Sequence, residues 1–188
     1  MNTVIQKITI PDYLDKERKS LERTEYVNGE ELKMTGVSYI HNFIVVNLLS
    51  AIKNALKSEK FKVLSNDMKV WIPSKNAFFY PDILVIQIPP QFHDESNDIV
   101  TNPICIFEVL SDSTRNFDKG EKFDSYRSIT GFQEYYLVEQ NKKLVSQYFI
   151  NSNGNWELIE IEKPESTISL KSLGIQLGLS EIYDGIEF

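Results

Sequence analysis

The stretch ICIFEVL, residues 104–110, decides the fold, because it places one carboxylate, Glu108, inside an apolar run. A second run, ILVI at residues 83–86, begins directly after the segment Tyr80-Pro81-Asp82. Near-continuous runs of this kind are typical of central strands that are buried on both faces. A charged group in such a strand costs folding free energy unless its charge is compensated. The two runs therefore predict buried strands whose carboxylates share a metal site.

Asp82 stands at the start of its strand, whereas Glu108 stands near the end of the other. If the two strands are antiparallel neighbours, both carboxylates lie at the same edge of the sheet. Carboxylate oxygens suit Mg²⁺ or Mn²⁺, and the backbone carbonyl of Val109 could add a further oxygen. Such a cation lowers the pKa of a bound water and stabilises charge on a phosphoryl oxygen. For either carboxylate alone a cap or an ion pair is the commoner role, but the pair favours a metal.

Apolar residues at helical spacing predict three helices. The broadest apolar stripe runs over residues 38–56 and is expected to pack on a sheet. Shorter helices are expected over 11–21, with Asp12 near its cap, and over 118–128, with Gly131 ending it. The tail from 170 to 182 is expected to dock as a loop and a short helix.

Strand signals are spread along the whole chain. The clearest is Asn28-Gly29, which predicts a tight hairpin turn between two short strands. One or two strands are expected over 61–72, followed by strands at 78–88, 103–110, 134–139, 143–150 and 155–162. The predicted fold class is therefore α/β, in the broader sense α+β. It is a mixed sheet flanked by helices, with an N-terminal hairpin and additional C-terminal strands, in a single domain spanning 1–188.

Composition indicates an ordinary globular chain of 188 residues, 41% apolar and 25% charged. No apolar stretch approaches the length of a membrane span, and the first twenty residues are too polar for a signal peptide. The single cysteine, Cys105, lies in an apolar run and is expected to be a buried thiol. These features predict a cytoplasmic protein without a membrane partner.

The net charge of −7 is unusual for a protein that binds nucleic acid, because phosphate binding depends on Lys and Arg. The charge is unevenly distributed. Residues 51–75 carry six lysines against two acids, or +4, whereas residues 139–188 carry four bases against eight acids, or −4. A polyanion is therefore expected to meet the first half of the chain, although scattered surface charge explains the pattern equally well.

Several segments together resemble a known family. The most specific is FEVLSDST at 107–114, which is continued by Asp118, by GEK at 120–122 and by Tyr126. The others are EYVNGE at 25–30, His41, YPDIL at 80–84 and GFQEYYLV at 131–138. Taken in their order along the chain, these segments resemble the Uma-two family of restriction-endonuclease-like proteins, formerly a domain of unknown function. This family belongs to the PD-(D/E)XK nuclease superfamily. The resemblance covers residues 25–183. It implies a restriction-endonuclease-like fold, a Mg²⁺ (or Mn²⁺) cofactor and hydrolysis of DNA.

The resemblance also implies catalytic roles. Asp82 and Glu108 would hold the metal, and Lys122 would polarise the attacking water or stabilise the transition state. The broad nuclease pattern has a lysine two residues after the strand-borne glutamate, where this chain has Leu110. The Uma-two family shares this apolar position and supplies its lysine from the next helix. Lys119 is a weaker candidate, since it lies on a different helical face.

Five further residues are expected to support the site. Asp118 and Tyr126 fall on the helical face of Lys122, four residues away on either side. Glu25 would reach the metal or its water, or else be a hairpin surface charge. His41 would be a ligand, an acid–base group or a phosphate contact, or else would pack or cap. Ser111 is expected to shape the strand-to-helix turn, where Asp112 replaces the family's usual proline.

Three alternatives remain open at this level. The fold could serve as a non-catalytic binding or assembly module, for which the net charge of −7 argues. Hydrolysis of glycosides by Asp82 and Glu108 would need carboxyls about 5–10 Å apart across a sugar cleft. Serine-hydrolase chemistry lacks its G-x-S-x-G signature. The resemblance also predicts a homodimer, in which two sites address the two strands of a DNA duplex.

Overall fold

The structure is a computed structural model that describes residues 7–188. The helices in this range are α1 (Ile10–Lys19), α2 (Tyr39–Ala55), α3 and α4 (Leu179–Ile182), besides a 3₁₀ turn at Pro73–Lys75. Helix α3 is a continuous helical segment made of Arg115–Phe117, a π-helical turn Asp118–Lys122, and Phe123–Tyr126. In this range no helix is both long enough and apolar enough to cross a membrane.

Thirteen strands are present within residues 7–188. They are β1 (Thr24–Val27), β2 (Glu30–Lys33), β3 (Phe61–Ser65), β4 (Lys69–Ile72), β5 (Ala77–Phe79), β6 (Ile83–Gln87), β7 (Ile99–Val100), β8 (Pro103–Leu110), β9 (Glu134–Glu139), β10 (Val145–Ile150), β11 (Trp156–Ile161), β12 (Thr167–Leu170) and β13 (Ile175–Gly178).

The large sheet has the strand order β11-β10-β9-β8-β6-β3. Strands β8 and β9 pair in parallel, with Leu110 opposite Glu139, whereas the other neighbours pair antiparallel. A parallel pair needs a crossover connection. Helix α3 supplies it, since it lies between β8 and β9 in the chain. The large sheet is therefore mixed, as predicted.

The small sheet has the strand order β2-β1-β5-β4-β7 and contains the predicted hairpin. Asn28 and Gly29 have φ of 51° and 92°, which are the left-handed values that this two-residue turn requires. A Cβ on Gly29 would also stand 2.7 Å from the Cβ of Lys7. Strands β12 and β13 form a separate pair near the C-terminus.

Alternation along β8 divides the core into two layers and decides where Glu108 points. Cys105, Phe107 and Val109 pack in the cluster that includes α2. Ile106 and Leu110 pack on the opposite face, against the small sheet and α3. Because side chains alternate along a strand, Glu108 lies on the same face as Ile106 and Leu110. Its carboxylate is therefore buried beneath α3.

Several predicted boundaries of helices and strands are wrong. The run 78–88 is two strands in two sheets, because the chain leaves the small sheet at Phe79 and enters the large sheet at Ile83. Proline at position 81 lacks the N–H that a continuous strand would use. Helix α3 starts at Arg115 and ends at Tyr126, so Gly131 lies in a later turn and does not cap it. The tail forms β12 and β13 before its short helix.

The first turn of α1 contains the predicted Asp12 next to the helix cap. Thr9 is the N-cap, and its hydroxyl accepts a hydrogen bond from the backbone N–H of Asp12 at 3.3 Å. Asp12 is an acidic residue of the first turn, where it interacts favourably with the helix dipole. The two residues exchange hydrogen bonds, so Asp12 lies near the cap, as the sequence predicted.

A buried ion pair joins α1 to the small sheet. Lys69 Nζ lies 2.5 Å from Glu17 Oε2, and both side chains are buried. The hydroxyl of Tyr80 donates a hydrogen bond to the other oxygen of Glu17. Lys69 belongs to the lysine-rich range 51–75. Because its side chain is buried, this lysine does not face a polyanion. The network connects α1 to the segment that leads to Asp82.

We expect Lys69→Met to destabilise the protein by about 3–5 kcal/mol, because it removes the buried cation of Glu17 and leaves this carboxylate only the partly exposed Arg23. Chemical denaturation measures the change. Lys62→Met, at an exposed position of β3, is the matched control and should change stability by less than about 0.5 kcal/mol. The double variant Glu17→Gln/Lys69→Met should recover part of the loss. Equal effects of Lys69→Met and Lys62→Met would contradict the role of the pair.

Candidate active site

The two strand-borne carboxylates meet at one edge of the large sheet. Strands β6 and β8 are antiparallel, with Ile83 opposite Phe107, so Asp82 and Glu108 are adjacent. The backbone N–H of Asp82 lies 3.3 Å from Glu108 Oε2, to which it donates. The backbone N–H of Val109 donates to Asp82 Oδ2 at 2.7 Å. The predicted antiparallel pairing and shared edge are confirmed, and Val109 contributes its N–H to the local hydrogen bonding.

Lys122 provides the positive charge at this edge. Its Nζ lies 3.0 Å from Glu108 Oε1, 3.1 Å from Glu25 Oε1 and 3.6 Å from Asp118 Oδ1. All four side chains are buried. One ammonium therefore faces three carboxylates, and we call these four residues the Lys122 cluster.

The π-helical turn of α3 contains two members of the cluster. Asp118 and Lys122 are its first and last residues, and both side chains are buried toward the large sheet. A π turn is wider than an α turn and leaves carbonyls without their usual partners. The hydroxyl of Tyr135 donates to the carbonyl of Asp118 at 3.0 Å. The sheet beneath the helix therefore helps to satisfy the irregular turn.

Glu25 and Tyr126 complete the contacts around the cluster. Glu25, on β1, accepts a hydrogen bond from the backbone N–H of Tyr80 at 3.0 Å. The hydroxyl of Tyr126 donates to Glu108 Oε1 at 3.2 Å. Glu25 thus links the hairpin to the Tyr80-Pro81-Asp82 segment. The structure brings both residues to the site, as the sequence predicted.

His41 reaches the site from the other face of the large sheet. It lies in the first turn of α2, where its backbone N–H donates to Oγ of the N-cap Ser38 at 3.0 Å. Its Nε2 lies 3.1 Å from Asp82 Oδ1. The imidazole is buried, and its Nδ1 has no hydrogen-bond partner among residues 7–188. His41 is therefore placed to orient the Asp82 carboxylate.

Other candidates lie next to the site or away from it. Ser111 Oγ accepts from the backbone N–H of Thr114 at 3.2 Å, which fits its predicted role in the turn. Lys119 points away from the cluster, with its Nζ 3.6 Å from Glu139. The second histidine of the chain, His93, lies away from the site, with its ring 5.1 Å from that of Trp71 in the small sheet.

Comparison with known proteins identifies the family. The family model Uma2, described as "Putative restriction endonuclease", matches residues 10–180. The chain belongs to the Uma2 family. The sequence-based recognition of the family is therefore confirmed, and its description indicates a hydrolase of the nuclease type.

Relatives and solved structures agree with this assignment. Two proteins of Synechocystis sp. (strain ATCC 27184 / PCC 6803 / Kazusa), sll1609 and slr1290, are both described as uncharacterized. The first is 34% identical over 89% of this chain and 95% of its own length. The second is 30% identical over 97% of this chain and 94% of its own length. A crystal structure from Anabaena variabilis ATCC 29413, described as "a putative nuclease belonging to DUF820", superposes with a TM-score of 0.75. It is 17% identical and covers 93% of this chain and 97% of that one, so it shows the α+β fold.

Burial governs the ionisation of this Uma2 protein's central carboxyl. It raises the pKa of Glu108 well above its usual range. The Lys122 ammonium opposes this shift, whereas the carboxylates of Asp118, Asp82 and Glu25 reinforce it. Burial acts to lower the pKa of Lys122, but Glu108, Glu25 and Asp118 raise it well above its usual range. Lys122 therefore stays charged, and the Glu108 carboxyl holds its proton more tightly than an isolated glutamate does.

The donor chemistry of the site fits a hard divalent cation. Asp82 and Glu108 offer carboxylate oxygens at one sheet edge, and the Asp82 side chain is partly accessible, at 19%. Within the described part of the chain, no group of three or more His, Cys, Asp and Glu side chains is arranged to hold a metal ion. Mg²⁺ is commonly bound through one or two carboxylates and keeps several waters. The Asp82–Glu108 pair therefore fits as a partial ligand set.

A cleft opens beside Asp82, and two of its residues escaped the sequence reasoning. Arg23 and Tyr80 line it together with His41 and Asp82. Tyr80 adjoins the Pro81-Asp82 signal, so its proximity could have been noticed. Arg23 lies in an exposed turn, and its position depends on contacts with Glu17 and Asp67 that are distant in sequence.

Because the pKa of Glu108 is raised in the folded state, this carboxyl binds more protons in the folded protein than in the unfolded chain above about pH 4.3. In the presence of a metal chelator, the contribution of Glu108 to the free energy of unfolding should fall as the pH rises from about 4.3 through the raised pKa. The fall is at most about 1.4 kcal/mol per pH unit. The raised pKa of Lys122 does not change this pH dependence, because its stabilising contribution is fully present, and therefore constant, below about pH 10.4.

Glu108→Gln should remove this component of the pH dependence, as measured by denaturation between pH 5 and 9. Glu121→Gln, at an exposed position of α3, is the matched control and should keep the wild-type slope. A Glu108→Gln protein with the wild-type pH dependence would show that another group is responsible.

Proposed function

We propose that this Uma2 protein is a metal-dependent endonuclease that hydrolyses phosphodiester bonds of DNA. The observation that carries the proposal is the meeting of Asp82, Glu108 and Lys122 at one sheet edge. Their polar atoms are joined through Glu108, which contacts both the backbone of Asp82 and the ammonium of Lys122. Carboxylates beside a buried lysine can serve the hydrolysis of a phosphate diester.

In this proposal Asp82 and Glu108 hold Mg²⁺ or Mn²⁺. The bound cation would lower the pKa of an attacking water and neutralise charge on the phosphate. Asp82 borders the cleft, so a phosphate entering the cleft would approach its accessible side chain. Hard cations of this kind suit both the carboxylates and the phosphate oxygens.

Lys122 would stabilise the negative charge that develops on the phosphate oxygens. Its charge is maintained by the surrounding carboxylates, as the direction of its pKa shift indicates. A fixed cation in a buried site stabilises a charged transition state more strongly than one in water. Tyr126 would hold Glu108 in place through its hydroxyl, and Asp118 and Glu25 would hold Lys122.

His41 would act on Asp82 as a positioning residue. Asp82 Oδ1 faces the imidazole, while Oδ2 accepts from the backbone of Val109. With both oxygens engaged by groups on rigid elements, the carboxylate has little freedom to rotate. Preorganised ligands of this type hold a metal with less loss of entropy on binding.

A second candidate function is a binding or assembly module that keeps the acidic cluster without catalysis. The specific observation in its favour is that Lys122 already compensates the carboxylates of Glu108 and Glu25. A cluster that is compensated internally does not require a metal in order to fold. Metal binding and cleavage therefore have to be measured separately.

We expect the purified protein to cleave plasmid DNA in the presence of Mg²⁺ or Mn²⁺. Asp82→Asn and Glu108→Gln should lower the rate at least about 100-fold, because each removes a charge that stabilises the transition state through the metal. The assay follows conversion of supercoiled plasmid to nicked and linear forms. Asp15→Asn, at an exposed aspartate of α1, is the control and should cleave as wild type does. Equal rates for Asp82→Asn and wild type would reject the catalytic assignment.

Calorimetric titration with Mn²⁺ separates the two candidate functions. The nuclease proposal expects binding that weakens by about tenfold or more in Asp82→Asn, since this variant loses one charged ligand. Asp15→Asn should bind as wild type does. Metal binding without cleavage would favour the assembly module, whereas the absence of binding at millimolar Mn²⁺ would contradict the metal site itself.

A further inference from the structure

Four carboxylates stand in a row along the edge of the large sheet that holds the site. The neighbouring strands β9, β8, β6 and β3 end or begin there, and they bring Glu139, Glu108, Asp82 and Asp67 to this edge in that order. Glu139 is paired with Leu110, just beyond Glu108. The backbone N–H of Asn66 donates to the carbonyl of Asp82 at 3.2 Å, which places Asp67 next along the row. The two outer carboxylates therefore flank the two inner ones.

The outer carboxylate on the β9 side holds an arginine. Arg115, at the start of α3, donates through Nη1 to Glu139 Oε1. Glu139 is buried, and its Oε2 has no hydrogen-bond partner in the described part of the chain. Arg115 itself is 27% exposed. A buried carboxylate thus fixes a guanidinium that still reaches solvent.

The outer carboxylate on the β3 side also holds an arginine. Arg23 Nε lies 3.2 Å from Asp67 Oδ1, and Nη1 lies 3.3 Å from Glu17 Oε1. Its guanidinium carbon is 5.8 Å from the ring centre of Tyr80. The side chain is 43% exposed and lines the cleft that contains Asp82. Three partners therefore restrain Arg23 at the mouth of the cleft.

Restrained arginines are well suited to bind phosphate. A guanidinium has five N–H donors, and hydrogen bonds to carboxylates engage one of them in Arg115 and two in Arg23. Asp112 also lies 3.9 Å from Nη2 of Arg115. The remaining donors can form paired hydrogen bonds to phosphate oxygens. Because the side chains are already ordered, binding costs less conformational entropy than it would for a free surface arginine.

The spacing of the row suits a nucleic-acid backbone. Neighbouring strands lie about 4.8 Å apart, so the three steps from β9 to β3 span about 14 Å. This length corresponds to about four base pairs along the axis of B-DNA. The arginines stand at the two ends of this span, and Asp82 and Glu108 lie between them.

We propose that the DNA backbone runs along this edge, with Arg23 and Arg115 binding phosphates on opposite sides of the phosphate that is cleaved. The inference rests on the proposed function, since it takes DNA as the substrate. It also explains how a chain with net charge −7 can meet a polyanion. Two fixed cations guide the strand across an otherwise acidic edge.

The test measures binding of a short DNA duplex by fluorescence anisotropy in Mg²⁺, with Asp82→Asn as the parent so that the duplex stays intact. Adding Arg23→Gln or Arg115→Gln should weaken binding about tenfold and lower the slope of log K against log salt by about 1. Arg127→Gln, at a 47% exposed arginine directly after α3, is the matched control and should change neither quantity. Thermal melting verifies that each variant remains folded.

Duplexes in which a single phosphate is replaced by a neutral methylphosphonate distinguish a direct arginine–phosphate contact from an indirect effect of the substitution on binding. If Arg23 binds one phosphate, its substitution should have little further effect once that phosphate is neutral. Arg115 should show the same behaviour at a different position, on the other side of the cleavage point. Losses that are independent of every phosphate position, or equal to that of Arg127→Gln, would overturn the proposed path.

The outcomes also separate this inference from the proposed function. Wild-type protein that cleaves DNA, with arginine variants that bind like the control, would reject the path and retain the nuclease. Protein that binds with the expected dependence on both arginines but does not cleave would retain the path and reject the nuclease. A parent that fails to bind duplex DNA would overturn the path together with its DNA substrate.

Discussion

The contact between the Lys122 ammonium and the carboxylates of Glu108, Glu25 and Asp118 is the interaction on which the site depends. Each carboxylate comes from a different element, namely β8, β1 and α3. Without a buried cation these groups would repel one another in a region that excludes water. The ammonium therefore holds together the large sheet, the small sheet and helix α3.

This electrostatic centre lies between two apolar layers that fix its geometry. One face of the large sheet packs against α2, and the other packs against the small sheet and α3. The first layer delivers His41 to Asp82, whereas the second delivers Lys122 to Glu108. Packed elements keep these side chains in place, so the site has its arrangement before any ligand arrives.

The central part of the fold was predictable because its signals are local. Apolar runs identify β6 and β8, a helical stripe identifies α2, and Asn28-Gly29 identifies the hairpin turn. The predicted boundaries failed where a tertiary constraint acts. The chain changes sheets between Phe79 and Ile83, which no local period records. The π turn is likewise accommodated by Tyr135 from the sheet below.

The sequence by itself identified which residues meet at the candidate site, because the strand-borne carboxylates and the helix-borne lysine form a pattern that resembles the Uma2 family. Only the tertiary structure decided how they are neutralised and what flanks them. Arg23 and Arg115 reach the site edge through Asp67 and Glu139, and Tyr80 is tied to Glu17. Such contacts depend on the order of strands in the large sheet, and strand order is set by non-local packing rather than by the spacing of residues along the chain.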